Sequence, residues 1–347
     1  MNDHIYIIGE IGQNHNGSVD IAKLIIDSVA RPVKEELFGS ILQPADAVKL
    51  TKRDLSEELS ASQMNKPYDS PHSFGKTYGE HRAFLELSNE QHYECFKHAK
   101  SYGLEFVETI CSIKSLSLLK FFYPDRLKVA SRDLTNLPLL AALAETKIPI
   151  IISTGMAGKV ELDNAIEVIS KYHNNISILH CVSQYPTEPQ NVNLNTIRYL
   201  LRNYSSYVIG YSDHTIGISA PIAAVAMGAR IIEKHITLDR RMKGTDQAGS
   251  LGPDGLNRMV RDLRLLEKSF GKDDLFIEEK VKEARMKLER SIASKREIKM
   301  GETIALQDIH LLSPGDGFKW IEKELVLGKR ALANIPKDEI IYHSMID

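Results

Sequence analysis

Ile209-Gly-Tyr-Ser-Asp-His-Thr-Ile-Gly217 and, shortly after it, Ile231-Ile-Glu-Lys-His-Ile-Thr-Leu-Asp239 are two apolar runs that each end by delivering a histidine. A short hydrophobic run that stops at a polar cluster is the pattern of a buried parallel strand emerging into a site. The Ala-rich segment between them, Ile218 to Gly228, reads as a helix. Strand, helix and strand in that order set His214 and His235 side by side at one end of a sheet, as a metal-ligating pair. For either imidazole alone, the competing reading is a hydrogen-bonded histidine near a strand end.

Outward from this unit the same alternation continues. Apolar runs occur at Ile5 to Ile11, Ala47 to Thr51, Glu105 to Ile110, Arg126 to Ser131, Ile148 to Thr154 and Ile176 to Val182, before the last two at Tyr207 to Asp213 and Arg230 to Thr237. Helical patterns separate them, among them a capping box at Ser88-Asn-Glu-Gln91 and the spaced leucines of Asn193 to Asn203. Eight buried strands alternating with helices predict an α/β fold, a (β/α)8 TIM barrel, with an open doubly wound sheet as the alternative. Barrel active sites lie at the carboxyl ends of the strands. Those ends carry Glu10, Lys49, Thr109, Lys128 with Ser131, Ser153, Ser183, Ser212 with His214, and His235. Lysines and hydroxyls suit a small, highly charged anion, and a histidine pair suits a divalent cation.

Two connections are long. The first strand leads into Gln13-Asn-His-Asn-Gly17, and the second into a loop containing Ser73 to Arg82, read as a substrate-covering segment with Lys76, Tyr78, Glu80 and Arg82 facing a polar acceptor. The barrel is expected over residues 1–275, followed by a helical linker over 276–290. From Ser291 the pattern changes to short β-like pieces and turns, a separate small β-rich domain over 291–347 that needs something to pack on, a partner subunit being one option.

Composition narrows the function. The 347 residues carry a net charge of -2 with no basic cluster, which excludes a nucleic-acid footprint, and no apolar run approaches a membrane span. Cys95, Cys111 and Cys181 lack the spacing of a zinc or redox motif and read as buried thiols. The opening residues enter a strand almost at once, without a signal-peptide pattern, so a cytoplasmic location is expected.

Six motifs in one order carry a family resemblance: Glu10-Ile-Gly-Gln-Asn-His-Asn-Gly17, Gly75-Lys-Thr-Tyr-Gly-Glu-His-Arg82, Ser153-Thr-Gly-Met156, His180-Cys-Val-Ser-Gln-Tyr-Pro-Thr187, Gly210-Tyr-Ser-Asp-His214 and Glu233-Lys-His-Ile-Thr-Leu-Asp239. The chain resembles the N-acetylneuraminate (sialic acid) synthase family over nearly its whole length, including a tail similar to that family's antifreeze-like (SAF) domain. The resemblance implies condensation of phosphoenolpyruvate with N-acetylmannosamine or a related N-acyl hexosamine to a nine-carbon ulosonic acid and phosphate. A synthase for legionaminic acid, pseudaminic acid or KDN, or one using a phosphorylated acceptor, is the alternative. It further implies a divalent metal, Mn2+ with Mg2+ or Co2+ as alternatives, held by His214 and His235, with Glu10 as acid/base. Phosphoenolpyruvate would meet Lys49, Thr109, Lys128, Ser131, Ser153, Ser183 and Ser212. The acceptor would meet Thr51, Tyr78, Asp133, Tyr185 and Asp246. A domain-swapped homodimer, with the tail reaching over the partner's barrel, is also implied.

The chain departs from the family pattern on the acceptor side. Thr51 stands where many members have Gln, Asp133 where Glu is usual, and Ala130-Ser-Arg-Asp133 where Gly-Ser-Gly-Glu is usual; Ser313 precedes the tail's Pro-Gly where Arg is frequent. An extra segment near Arg31 to Gln43 lengthens the first connection. Two rival functions remain open on the residues alone: a Schiff-base pyruvate aldolase using Lys128 or Lys49, and a non-catalytic binding protein built on the tail.

Overall fold

The computed structural model describes residues 4–36 and 39–347. It divides into two compact units, one reaching to Phe270 and the other Gly271–Asp347. In the first, eight parallel strands close a barrel: β1 (Tyr6–Glu10), β2 (Ala47–Lys52), β3 (Glu105–Ile110), β4 (Arg126–Val129), β5 (Ile150–Ser153), β6 (Ile176–Cys181), β7 (Val208–Asp213) and β8 (Ile231–His235). Each strand pairs with its neighbour in sequence, and β8 closes onto β1. The (β/α)8 reading therefore holds, and the open sheet is excluded by the β1–β8 pairing.

Side-chain alternation explains what fills the barrel. Ile8, Ala47, Val107, Ile151, Leu179 and Ile231 form one inner apolar cluster, each at most 3% exposed. Two residues further along the same strands stand Glu10, Lys49, Thr109, Ser153, Cys181 and Glu233. The apolar layer is thus a floor, and the polar layer lies directly upon it. The opposite faces of the strands, with Ile7, Val48, Phe106, Leu127, Ile152, Ile178 and Ile232, pack against the helices in a far larger core. Burying each such aliphatic side chain contributes about 1.5–3 kcal/mol.

The connections follow local sequence rules with two departures from expectation. Ser88 and Gln91 form the expected capping box at the head of the helix Asn89–Ser101. After β3, however, the crossover is a 3₁₀ segment, Lys114–Lys120, in place of an α-helix. The stretch read as a covering loop is partly regular: Thr77 and Glu80 form a capping box that starts the helix Tyr78–Phe84. Within the extra segment, Val33–Lys34 pairs antiparallel with Ile41–Leu42. Leu37 and Phe38 of that segment, and Met1 to Asp3 of the opening stretch, lie outside the described residues.

The second unit begins with a 3₁₀ turn, Glu279–Val281, and a short helix, Lys282–Leu288. Strands β9 (Ser291–Ser294) and β10 (Ile309–Leu312) then pair antiparallel, and isolated bridges such as Ile298 to Ile335 and Ala331 to Ile346 tie in the rest. Its own core holds Ile292, Ile298, Ile304, Ile309, Phe318, Val326, Ile335 and Ile341. Among the described residues no helix is long and apolar enough to cross a membrane.

Candidate active site

The carboxyl ends of the strands open into a cavity of about 230 Å3. Glu10, Lys49, Thr51, Thr109, Lys128, Ser131, Ser153, Ser183, Tyr185, Ser212, His214, His235 and Asp246 all line it. At its base two buried ammonium groups face two buried carboxylates. Lys49 forms an ion pair with Glu10 and stands 4.0 Å from Glu233, while Lys128 lies 3.9 Å from Glu233. Hydroxyls complete the base: Lys49 donates to Thr109 Oγ1 at 3.0 Å, Lys128 to Ser153 Oγ at 2.6 Å, and Ser212 to Glu233 Oε1 at 2.9 Å.

Burial and neighbours push the two carboxylates apart. Burial is the strongest influence on Glu10 and lifts its carboxyl to about 7; Lys49 opposes this and Glu233 adds to it. Glu233 is buried as deeply, but Lys128, Lys49 and the Ser212 hydroxyl outweigh burial and hold it down at about 2. One carboxylate is thereby poised to exchange a proton near neutrality, and the other stays ionised. Burial lowers the Lys128 ammonium, while Glu10 and Glu233 keep Lys49 raised in spite of burial.

The two histidines stand above this base with ring centroids 5.4 Å apart. His214 Nδ1 bonds the Val182 carbonyl at 2.8 Å, so Nδ1 carries the proton and Nε2 is left as a lone-pair donor. Tyr185 packs over the His214 ring at 3.9 Å and meets His235 edge-on. His235 Nδ1 is buried without a hydrogen-bond partner, its nearest carboxylate being Asp246 Oδ2 at 4.0 Å. Burial holds the His235 imidazole below its ordinary value, against the pull of Asp246. Gly12, at a φ of 52°, keeps the space between Glu10 and His235 clear: a Cβ there would lie 2.9 Å from Glu10 Oε1 and 3.3 Å from His235 Cε1. Two imidazoles, one with an orphaned buried nitrogen, fit a divalent cation that keeps open positions. Among the described residues no set of three His, Cys, Asp or Glu side chains could hold a metal alone.

Two expected acceptor contacts stand elsewhere. Tyr78 does not line the cavity; its hydroxyl accepts from Arg82, which is itself paired with Glu58 at 2.6 Å. Glu80 is used in capping its helix. Asp133 also lies outside the lining, beside the Arg132 guanidinium at 3.3 Å, because the chain turns into a 3₁₀ segment at Ser131. In their place the cavity wall presents Arg53 and Arg132 with Cys111, Gln13 and Met156. Arg132 pairs with Glu58 at 2.5 Å and Arg53 with Glu86 at 3.1 Å, while Arg53 Nε, buried, makes no hydrogen bond and stands 4.0 Å from Glu58 Oε2. An anion pocket free of arginines, as the strand ends alone suggest, is therefore incomplete. All three cysteines are free and buried; Cys111 and Cys181 line the cavity.

This geometry defines a class: a parallel barrel whose strand ends hold a cationic, hydroxyl-rich well beneath a histidine pair, followed by a small β-rich unit. The chain belongs to the NeuB family, whose model matches residues 41–274, and it carries a SAF domain over residues 289–347. It is 33% identical to human N-acetylneuraminate-9-phosphate synthase, covering 99% of this chain and 92% of that one. With the N,N'-diacetyllegionaminic acid synthase of Legionella pneumophila it shares 34% identity over 95% and 91% of the two chains. Among solved structures, the N-acetylneuraminic acid synthetase of Leptospira borgpetersenii, crystallised with citrate, superposes with a TM-score of 0.68 at 30% identity, covering 82% of this chain and 90% of that one.

Proposed function

We propose that the chain condenses phosphoenolpyruvate with an N-acyl hexosamine, N-acetylmannosamine in the first instance, to give a nine-carbon ulosonic acid and phosphate. The observation that carries this reading is the base of the well, where Lys49 and Lys128 are buried among Thr109, Ser153 and Ser212. Phosphoenolpyruvate carries a carboxylate and a phosphate on the same carbon, C2, and two fixed ammonium groups with a ring of hydroxyl donors match that charge in a dry site. C3 of the enolpyruvate attacks the sugar aldehyde carbon, whose oxygen takes the proton of the Glu10 carboxyl to become a hydroxyl, and positive charge builds at C2. Glu10 takes a proton from the water that adds at C2, and the tetrahedral adduct collapses by breaking its C–O bond to phosphate. Glu233, held ionised, keeps both lysines in place and faces the developing positive charge. His214 and His235 would hold the divalent cation, Mn2+ in the first instance with Mg2+ or Co2+ as alternatives, which supplies Lewis-acid polarisation of the aldehyde oxygen.

A second acceptor class has its own support. Arg53 and Arg132 on the upper wall favour a phosphorylated hexosamine over a neutral one, and human N-acetylneuraminate-9-phosphate synthase is among the relatives. Precursors of legionaminic acid, pseudaminic acid or KDN complete the acceptor range. The same reading includes a homodimer with exchanged SAF units, and a cytoplasmic location suited to three free thiols. Phosphate release from phosphoenolpyruvate with Mn2+, across hexoses with and without a 6-phosphate, tests it. No release with any acceptor would sink the reading. Borohydride trapping with pyruvate, together with activity that survives a chelator, would put the Schiff-base aldolase in its place.

A further inference from the structure

Directly behind the two histidines, on the far side of strands β7 and β8, lies a second charged pair that lines no part of the main cavity. Asp213 and Lys234 are cross-strand partners, each 1% exposed, with Lys234 Nζ 2.5 Å from Asp213 Oδ2. The outward positions at Leu50, Val129, Ile152 and Ile232 are apolar; the buried Glu108, beside Leu50 and 3.0 Å from His92, is another charged group on these outer faces. Burying two charges is offset only by close geometry and further hydrogen bonds. Those bonds are present, and they converge on the residues flanking His214.

Asp213 Oδ1 accepts from the Tyr211 hydroxyl at 2.8 Å and from Thr215 N at 2.9 Å, and Oδ2 accepts from Thr215 Oγ1 at 3.1 Å. Lys234 donates a second bond to the Thr215 carbonyl. The backbone on both sides of His214 is therefore fastened to β8 between Glu233 and His235. On its other side, the His214 carbonyl accepts from Thr187 N at 2.9 Å, and its imidazole is fixed by Nδ1 donating to the Val182 carbonyl at 2.8 Å.

We infer that Asp213 and Lys234 are positioning residues, whose buried pair sets the separation and facing of His214 and His235. A fully bonded buried network holds one arrangement where an apolar contact would allow several. The inference rests on the proposed reading of the two histidines as ligands of a divalent cation. Mn2+ titration of the full chain, followed by loss of the free-ion EPR signal, tests it alongside steady-state kinetics. The Asp213→Asn/Lys234→Met double variant should bind Mn2+ at least about tenfold more weakly, the scale of lost support around a metal ligand. Its KM for phosphoenolpyruvate should stay near the parent value, since Lys49 and Lys128 are untouched; a role in folding alone would leave the Mn2+ affinity of the folded fraction unchanged. Tyr211→Phe and Thr215→Val each remove one bond to Asp213 and should give smaller losses of the same kind; if the double variant fails to fold, these two carry the test. Parent-like Mn2+ binding in folded variants overturns the inference alone, whereas a parent chain that binds no Mn2+ overturns the metal reading of the histidines and the inference with it.

Discussion

Replacing Gly155 by Ala is the smallest change that should disable the donor pocket. Gly155 follows Ser153 at the end of β5, and its N–H bonds Ser131 Oγ at 2.9 Å. A Cβ built there would lie 2.5 Å from Ser183 Oγ, 2.7 Å from Ser131 Oγ and 2.9 Å from Cys181 Sγ. Its backbone is outside the left-handed region, so Ala brings no conformational strain, only this crowding. To regain ordinary contact distance the two hydroxyls must retreat by roughly 0.7–0.9 Å. Overpacking of this kind costs about 1–3 kcal/mol of stability. Its effect on turnover is larger, since a misplacement near 1 Å in a positioned site costs on the order of 100-fold. Phosphate-release kinetics should therefore show kcat/KM for phosphoenolpyruvate falling by about two orders of magnitude, with the KM of the acceptor little changed. Gly252→Ala, where a Cβ meets nothing within 4 Å, serves as the control and should behave as the parent. A Gly155→Ala enzyme with parental kcat/KM would refute the placement of Ser131 and Ser183 around the donor.

Further expectations follow from other parts of the molecule. Burial, with His92 and Arg53 nearby, holds the His15 imidazole neutral down to about pH 3, against 6.5 for the free side chain. The unfolded chain then binds the extra proton between those values, so the stability due to His15 is complete above pH 6.5 and is lost as pH falls towards 3. At pH 5 the loss is about 2 kcal/mol. Urea unfolding of the barrel at pH 7 and pH 5 should show it, and His15→Asn should flatten the difference; an unchanged slope would be the contrary result. EDTA should abolish phosphate release and Mn2+ restore it, while His235→Ala should stay folded by circular dichroism and lose turnover by at least about 100-fold; full activity would remove His235 from the site. Sedimentation should find a dimer, and a stable, fully active monomer would contradict the exchanged SAF units.

Much of this was legible in the residues because strand geometry has a period of two. An apolar run ending in a charged residue places that residue above the apolar floor, as Ile8 does for Glu10 and Ile231 for Glu233. Extending Ala47, Lys49 and Thr51 by one more step reaches Arg53, so the sequence held a signal for it. Beyond Val129 the rule fails, since the chain leaves the extended conformation at Ser131 and alternation no longer separates Arg132 from Asp133. Tyr78 was hidden for a different reason: its helix is started by Thr77 and Glu80, but the choice of Arg82 and Glu58 as its neighbours is a tertiary matter. The split between Glu10 and Glu233 depends on which carboxylate holds which lysine, and no spacing along the chain encodes that.

The apolar floor of the barrel has a kinetic consequence. Ile8, Ala47, Val107, Ile151, Leu179 and Ile231 stop the barrel from below, so traffic enters and leaves by one opening. Whatever occupies the lysines lies at the bottom of a blind shaft, and whatever occupies Arg53, Arg132 and Tyr185 closes it like a cork. Molecules must therefore queue: on the proposed reading, the enolpyruvate should go in ahead of the sugar, and the phosphate should leave after the new acid.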